Sequence, residues 1–292
     1  RRQRQMCIRD RVNAGPGLLM HLKPASGKPQ PVGEEIANHL FPPGFDFRIP
    51  IVGISGNSGR TVVAEMVAHF IRLTNRHVGL STSNGLYFGG RTIKKTSSSH
   101  WDNARRTLQN RAIEVAVIEN DNSSLLLEGL AYDQCQVGIV LNIDPLKLFP
   151  EYNISEEDQL FSVVRTQVDV VLPNGTSVLN ADDPLIVKMA ELSKGEVLYF
   201  SQDPASSVIT DHQEKGGRSI IVSSSVITLK HGKLDKLTIP IPPVVLNSSL
   251  DWASDLSLAA AIGAAWALDI PFNVIEAGAE TFVADTSMPA RI

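Results

Sequence analysis

The six-residue stretch GNSGRT, Gly56 to Thr61, has the residue types of a phosphate-binding loop. It lies between an apolar run and an amphipathic stretch, so a strand should lead into it and a helix should follow. Glycines let the backbone wrap an anion, and a helix N-terminus offers free N–H groups and the positive end of a dipole. The residues that would form this site are Gly56, Asn57, Ser58, Gly59, Arg60 and Thr61.

The last two positions of the loop give conflicting signals. The general phosphate-loop pattern places Lys and then Ser or Thr after the final glycine. Thr61 fits the hydroxyl that binds Mg²⁺, but Arg60 stands at the lysine position. Arginine keeps the charge on a planar fork and is not a conservative replacement. The loop alone therefore leaves two alternatives open, a nucleotide phosphate site or a Gly-rich turn without a ligand.

Polar residues at two further strand ends are candidates for the same site. The apolar run in VAVIEND ends at Glu119. The apolar run in VGIVLNIDPLKL is followed by Asn142, Asp144 and Lys147. In open parallel sheets ligands bind beyond the carboxyl ends of the strands. Glu119 is a candidate metal ligand, holding Mg²⁺ opposite Thr61 directly or through water. The alternative is a solvated strand-end carboxylate without a ligand.

The composition is that of an ordinary globular protein. The chain has 292 residues, 43% of them hydrophobic and 20% charged, and a net charge of −4. This balance does not favour a nucleic-acid or a membrane surface. The two cysteines, Cys7 and Cys135, cannot form a disulfide framework, and no metal-ligand spacing includes them. We expect a cytoplasmic protein without a membrane span.

Alternating apolar runs and helical patterns predict an α/β fold: a doubly wound, mostly parallel sheet with a small antiparallel edge. Predicted strands are Ile49–Ser55, Glu114–Glu119, Val137–Ile143, Asp169–Pro173, Ser177–Asn180 and Glu196–Phe200, with a hairpin over Arg218–Ile241. Predicted helices are Val32–Leu40, Thr61–Thr74, Trp101–Arg111, Glu156–Val168, Asp183–Leu192, Leu256–Leu268 and Phe272–Phe282.

Several longer segments together resemble one protein family, the cyanophycin synthetases. They are VNAGPGLLMH, PVGEEIANHLFP, RIPIVGISGNSGRT, GLAYDQCQVGIVLNI, VLNADDPL and FSQDP. They follow in the family's order from Val12 to Ile292. The resemblance implies the end of an ATP-grasp module followed by a Mur-ligase-like module with a P-loop. The implied boundaries are 12–47 for the ATP-grasp tail and linker, 48–270 for a domain like the central domain of Mur ligases, and 271–292 for a last helix and a truncated C-terminal segment.

The resemblance also implies an activity and its partners. Cyanophycin synthetases are ADP-forming ligases that make an Asp–Arg storage polymer with ATP and Mg²⁺. A shorter kind, cyanophycin synthetase 2, joins β-aspartyl-arginine dipeptides, relies on its ATP-grasp site and has a truncated Mur-like module. The implied partners are the rest of the ATP-grasp module, cyanophycin or an Asp–Arg dipeptide, and further copies in a homo-oligomer.

Departures from the family pattern predict a degenerate Mur-like site. Arg60 replaces the loop lysine, the glycines after Glu119 are missing, and Lys147 stands where a metal-associated His belongs. The adenine-side Asn pair is replaced by Asp251 and Asp255.

Residues of the family's nucleotide and metal sites survive in part. Asn180 and Asp183 remain as candidate nucleotide contacts, although NADDP could simply cap a helix. Asn13 keeps a position of the ATP-grasp metal pattern E-x-N, whereas Arg11 replaces its Glu.

Three functions stay open. The first is the C-terminal portion of a cyanophycin synthetase 2-like ligase whose Mur-like module is structural, so that this fragment alone is inactive. In the second, the module binds MgATP through Arg60, Thr61 and Glu119 and activates a carboxylate. The third is a stand-alone nucleotide-sensing module.

The start RRQRQMCIRDR carries five arginines and one aspartate. One alternative for this stretch is a basic interaction tail. The other, which we expect for residues 1–11, is translated sequencing-adapter sequence.

Overall fold

In the computed structural model of the chain, the described residues are 17–42, 44, 48–95, 100–242 and 255–282. The chain divides into two compact units, Arg1–Arg48 and Ile49–Ile292. The smaller unit contains two short helices, α1 (Leu19–Leu22) and α2 (Val32–Leu40), and neither has a buried residue. Asn13 and Arg11 lie outside the described residues, so the ATP-grasp metal position stays a prediction.

The larger unit is built on one 11-stranded sheet with the order β11-β10-β9-β8-β7-β6-β1-β5-β2-β3-β4. Its strands are β1 Ile51–Ser55, β2 Val78–Thr82, β3 Gly85–Phe88, β4 Arg91–Lys94, β5 Val115–Glu119, β6 Cys135–Val140, β7 Val171–Asn180, β8 Glu196–Ser201, β9 Arg218–Val222, β10 Val226–His231 and β11 Leu234–Pro240. The strands from β9 to β2 in this order pair parallel. The predicted mostly parallel α/β sheet is therefore confirmed.

Both ends of the sheet are antiparallel, whereas the sequence predicted one such edge. β2, β3 and β4 form a meander at one end, and β9, β10 and β11 form another at the opposite end. The prediction missed the first meander because its strands are short and only the first is buried throughout. The predicted hairpin over Arg218–Ile241 is three strands joined by two turns.

Helices cover both faces of the sheet. They are α3 Arg60–Leu73, α4 His100–Gln109, α5 Asn122–Leu127, α6 Glu157–Val164, α7 Thr166–Asp169, α8 Pro184–Met189, α9 Ser207–Glu214, α10 Asp255–Ala267 and α11 Phe272–Thr281. Two short 3-10 helices lie between these elements, at Pro150–Tyr152 before α6 and at Ala190–Leu192 after α8. α3, α10 and α11 share one apolar core with one face of the sheet, and α6 to α9 pack on the other.

Local sequence explains the central elements. Every residue of β1 and β5 is buried, as expected for strands covered on both faces. α10 is buried almost all round, because it packs on the sheet, where Gly263 faces Val178 and Leu198, and also against α3 and α11. One strand, β7, replaces the two predicted at Asp169–Pro173 and Ser177–Asn180, and Asp169 ends α7 instead.

Candidate functional site

The Gly56–Thr61 loop connects the end of β1 to the start of α3. β1 lies between β5 and β6, and all three strands are parallel. Their carboxyl ends therefore meet at the loop, which brings Glu119 and Asn142 beside it. Gly59 adopts φ 81°, a left-handed conformation that favours glycine, and α3 begins at the next residue. The structure thus confirms the strand–loop–helix arrangement that the sequence predicted.

The Asn142 side chain is hydrogen-bonded to the backbone of the loop. Its side-chain oxygen accepts hydrogen bonds from the backbone N–H groups of Asn57 (2.8 Å) and Ser58 (3.0 Å). Its amide nitrogen donates to the Ser58 carbonyl at 3.2 Å. Successive backbone N–H groups of this kind form the concavity in which phosphate loops hold an anion. In this arrangement, an amide oxygen of the chain itself takes both donors.

Asn180 and Asp183 hold the segment that carries Asn142. The Asn180 side chain donates to the Leu141 carbonyl at 2.9 Å. The Asp183 carboxylate accepts from the Ile143 backbone N–H at 3.0 Å, and its other oxygen caps α8 through Leu185 at 3.0 Å. Both residues therefore lie on the loop side of the sheet, and the contacts they make there are with the chain itself. A role in nucleotide binding stays a prediction for both.

Glu119 is 1% exposed, so the alternative of a solvated strand-end carboxylate is wrong. Oε2 accepts hydrogen bonds from Thr61 Oγ1 at 3.0 Å and from the Ser83 backbone N–H at 2.9 Å. Ser83 follows β2, which pairs with β5 and so ends at the same edge. Thr61 Oγ1 also lies 2.9 Å from the Ser83 hydroxyl. The predicted pair of metal-ligand candidates, Thr61 and Glu119, is thus in direct contact, with Ser83 as a third oxygen that the sequence did not indicate.

Arg60 turns toward the protein. One terminal nitrogen of its guanidinium donates to the Gly56 carbonyl, and Nε lies 3.4 Å from Glu119 Oε1. Its side chain is 18% exposed. Both Glu119 oxygens therefore have a cation or a donor beside them. The positive charge at the lysine position balances a buried carboxylate of the same chain.

Two further departures, Lys147 and Asp255, have their side-chain contacts with residues outside the Gly56–Thr61 loop. Lys147 is 64% exposed and lies 3.9 Å from Asp144 in an i,i+3 ion pair. Asp255 accepts a hydrogen bond from Gln202 at 2.8 Å, at the start of α10. Asp251 lies outside the described residues. Within the described ranges, no group of three or more His, Cys, Asp or Glu side chains could hold a metal ion.

A buried polar network lies near the loop, on the face of β1 opposite α3. Asn120 Nδ2 donates to the Tyr132 hydroxyl at 2.8 Å and to Gln167 Oε1 at 2.9 Å, and Tyr132 donates to the same oxygen at 2.9 Å. Gly53 leaves the space for these side chains. Burial raises the pKa of Tyr132 well above its ordinary value and that of Cys135 to about 12. Sequence reasoning missed this network because its members are far apart in the chain.

Comparison with known proteins gives the family. The Mur ligase middle domain family matches residues 54–244. Cyanophycin synthetase of Crocosphaera subtropica is 34% identical over 289 residues, which cover 96% of this chain and 32% of that protein. Cyanophycin synthetase of a Synechocystis species is 33% identical over 288 residues, with the same coverage of both chains. The chain thus spans about a third of the length of these relatives.

Solved structures agree on the fold. A UDP-N-acetylmuramoyl-L-alanyl-D-glutamate–2,6-diaminopimelate ligase superposes with a TM-score of 0.61 at 13% identity, over 88% of this chain and 50% of that chain. A pseudomurein peptide ligase type C from Methanothermus fervidus gives a TM-score of 0.52 at 16% identity, over 82% of this chain and 50% of that chain. Among the helices within the described ranges, none combines the length and apolar character of a membrane span. The chain belongs to the Mur ligase middle domain family, and it is similar to cyanophycin synthetase along 96% of its length.

Proposed function

We propose that this chain is the C-terminal portion of an ATP-dependent amide ligase of the cyanophycin synthetase kind, of the type that joins β-aspartyl-arginine dipeptides. In this proposal the Mur-like module supports the fold and the assembly, while an ATP-grasp module performs the chemistry with ATP and Mg²⁺. Similarity over 96% of the chain supports the ligase family. The relatives are about three times as long as the matched region, which leaves room for a further module.

The observation that carries the structural role is the position of Asn142. Its oxygen already accepts from the backbone N–H groups of Asn57 and Ser58, so a phosphate group bound to either donor would have to displace it. In this arrangement the loop residues do not fit MgATP.

Arg60 supports the same conclusion from the charge at the loop. The guanidinium is held between the Gly56 carbonyl and Glu119, so its charge is already engaged by groups of the same chain. Phosphoryl transfer depends on positioned charges that stabilise the transition state, and each lost contact costs about 10²-fold or more in rate. Loss of phosphate, metal and adenine contacts together therefore predicts an inactive module.

One contact favours a second candidate, in which the module binds MgATP and activates a carboxylate. Thr61 Oγ1 and Glu119 Oε2 lie 3.0 Å apart, as two ligands of one Mg²⁺ would require. The two candidates differ in the turnover expected of the module itself. The second predicts phosphate release through Arg60, Thr61 and Glu119 in the unmodified loop. The first predicts none, and none after Arg60→Lys either, because residues that act as a unit do not recover singly.

The test uses the complete protein with ATP and β-aspartyl-arginine dipeptide. We expect polymer and ADP from the unmodified protein. In a background in which Asn13→Ala disables the ATP-grasp metal position, we expect no phosphate release, and Arg60→Lys should not restore it. Release at about 1 s⁻¹ with Arg60→Lys, within the range of working enzymes, would show that the Mur-like site needs only its lysine. Polymer formation that fails in the unmodified protein would contradict the substrate class.

A further inference from the structure

The Glu119 carboxylate is a charge that needs a compensating cation. It ends β5, which lies between β1 and β2 in the sheet, and it is 1% exposed. Burying an ionised carboxylate is costly unless a cation and hydrogen-bond donors compensate it. Two of its donors, Thr61 and Ser83, are neutral groups and do not balance its charge.

Arg60 is the cation that meets this need. Its Nε lies 3.4 Å from Glu119 Oε1, on the oxygen that Thr61 and Ser83 leave free. Among the described residues, no other Lys, Arg or His forms an ion pair with Glu119. The nearby His100 is paired with Asp121 at 3.1 Å. The charge of Glu119 is therefore balanced from within the loop.

The same oxygens would otherwise suit a hard divalent cation. Mg²⁺ and Mn²⁺ prefer carboxylate, hydroxyl and water oxygens. Thr61 Oγ1, Glu119 Oε2 and the Ser83 hydroxyl lie within 3.4 Å of one another. A guanidinium beside this carboxylate repels a second cation and uses up the charge that would attract one.

We propose that the Arg60 guanidinium takes the place of a divalent metal ion at the carboxyl end of β5. The wild-type chain then binds no Mg²⁺ or Mn²⁺ at Glu119, and removal of the guanidinium opens a metal site formed by Thr61, Ser83 and Glu119. This inference shares with the proposed function the view that MgATP does not fit the loop. Its test uses the metal alone, so the two can fail separately.

The experiment is a titration of the chain with Mn²⁺, followed by electron paramagnetic resonance of the free ion, together with thermal unfolding with and without Mn²⁺. We expect no saturable site in the wild type at millimolar Mn²⁺. Arg60→Ala should bind one Mn²⁺ at least about tenfold more tightly than the wild type, because a neighbouring unit charge has been removed. Mn²⁺ should also raise the unfolding temperature of Arg60→Ala, because it compensates the unpaired Glu119.

Two further variants keep the test decisive. Arg60→Gln retains a donor for the Gly56 carbonyl without the charge, and it should gain the same Mn²⁺ site even if Arg60→Ala folds poorly. Arg60→Gln combined with Glu119→Gln should lose the gained site. Arg72→Ala, which removes an exposed arginine from the far end of the same helix, is the matched control and should gain nothing.

Two outcomes would overturn the inference. The first is a Glu119-dependent Mn²⁺ site in the wild type that is as tight as the site in the variants. The second is a folded Arg60→Gln protein that gains no Mn²⁺ binding over the wild type. A variant that unfolds without Mn²⁺ and folds with it would support the inference.

Discussion

Asp121 offers a direct test of how the acidic end of β5 is stabilised. It follows Glu119 by two residues and caps α5, where its carboxylate accepts hydrogen bonds from the Ser124 backbone N–H at 3.0 Å and hydroxyl at 2.6 Å. His100 Nε2 lies 3.1 Å from Oδ2, the oxygen that accepts the Ser124 hydroxyl. Burial raises the pKa of Asp121, but hydrogen bonds from Ser123 and Ser124 and the charge of His100 outweigh burial and lower that pKa to about 2.

The sign and magnitude of the effect follow from this pKa. A carboxyl whose pKa falls from 3.8 to about 2 on folding stabilises the native state above pH 3.8, and the stabilisation is lost as pH falls toward 2. At about 1.4 kcal/mol per pKa unit, the ionised group contributes about 2 kcal/mol at pH 7 and about 1 kcal/mol at pH 3. Asn keeps the shape of the cap without the charge.

The assay compares the free energy of unfolding in urea of wild type and Asp121→Asn at pH 7 and pH 3. We expect Asp121→Asn to be less stable by about 2 kcal/mol at pH 7, and the deficit to shrink by about half at pH 3. Asp203→Asn is the matched control, since Asp203 is an exposed carboxylate that accepts the Ala205 backbone N–H, and it should show a smaller deficit at pH 7. A deficit for Asp121→Asn that is equal at both pH values would refute the reasoning, because it would mean that the charge contributes nothing.

Two other predictions concern the buried network and the core beneath the loop. Gly53→Ala should destabilise the chain by about 2 kcal/mol or more in urea unfolding, because the new methyl group would overlap the Tyr132 hydroxyl. Gly33→Ala, whose methyl group would have its nearest neighbour at 3.8 Å, is the control, and equal losses would contradict the account. In a Cys7→Ser background, the thiol of Cys135 should resist a disulfide reagent at pH 8 and react in urea, since it is 1% exposed and burial raises its pKa to about 12. Rapid native labelling would show that this thiol is accessible.

The sequence predicted the central sheet because its signals there are local and strong. The buried runs around Val52 and Val117 have the length of parallel strands, and the apolar stripe of Thr61–Thr74 has helical spacing. The β3–β4 hairpin was missed because Arg91–Lys94 is largely exposed and polar, so its pairing depends on β2 rather than on its own pattern. α5 was missed for a related reason, since six residues are too few for a periodic signal.

The sequence predicted which strand ends meet at the loop, but not the contacts made there. Strand ends in a parallel sheet must meet, so Glu119 and Asn142 could be assigned to the loop from topology alone. The sequence does not show that Arg60 turns inward to Glu119, because that choice depends on the burial of a carboxylate from another strand. The contact of Ser83 with Glu119 was not predicted either, because Ser83 follows β2 and that strand was not predicted.

The measurement that tests the central claim most directly is a calorimetric titration of the wild-type chain with MgATP. With Asn142 in the loop and Arg60 on Glu119, we expect no saturable binding at nucleotide concentrations up to about 1 mM, the upper end of ordinary Michaelis constants. Stoichiometric binding at micromolar MgATP that disappears in Thr61→Ala would contradict the account. It would show that the loop opens to its nucleotide and that the module keeps a nucleotide site.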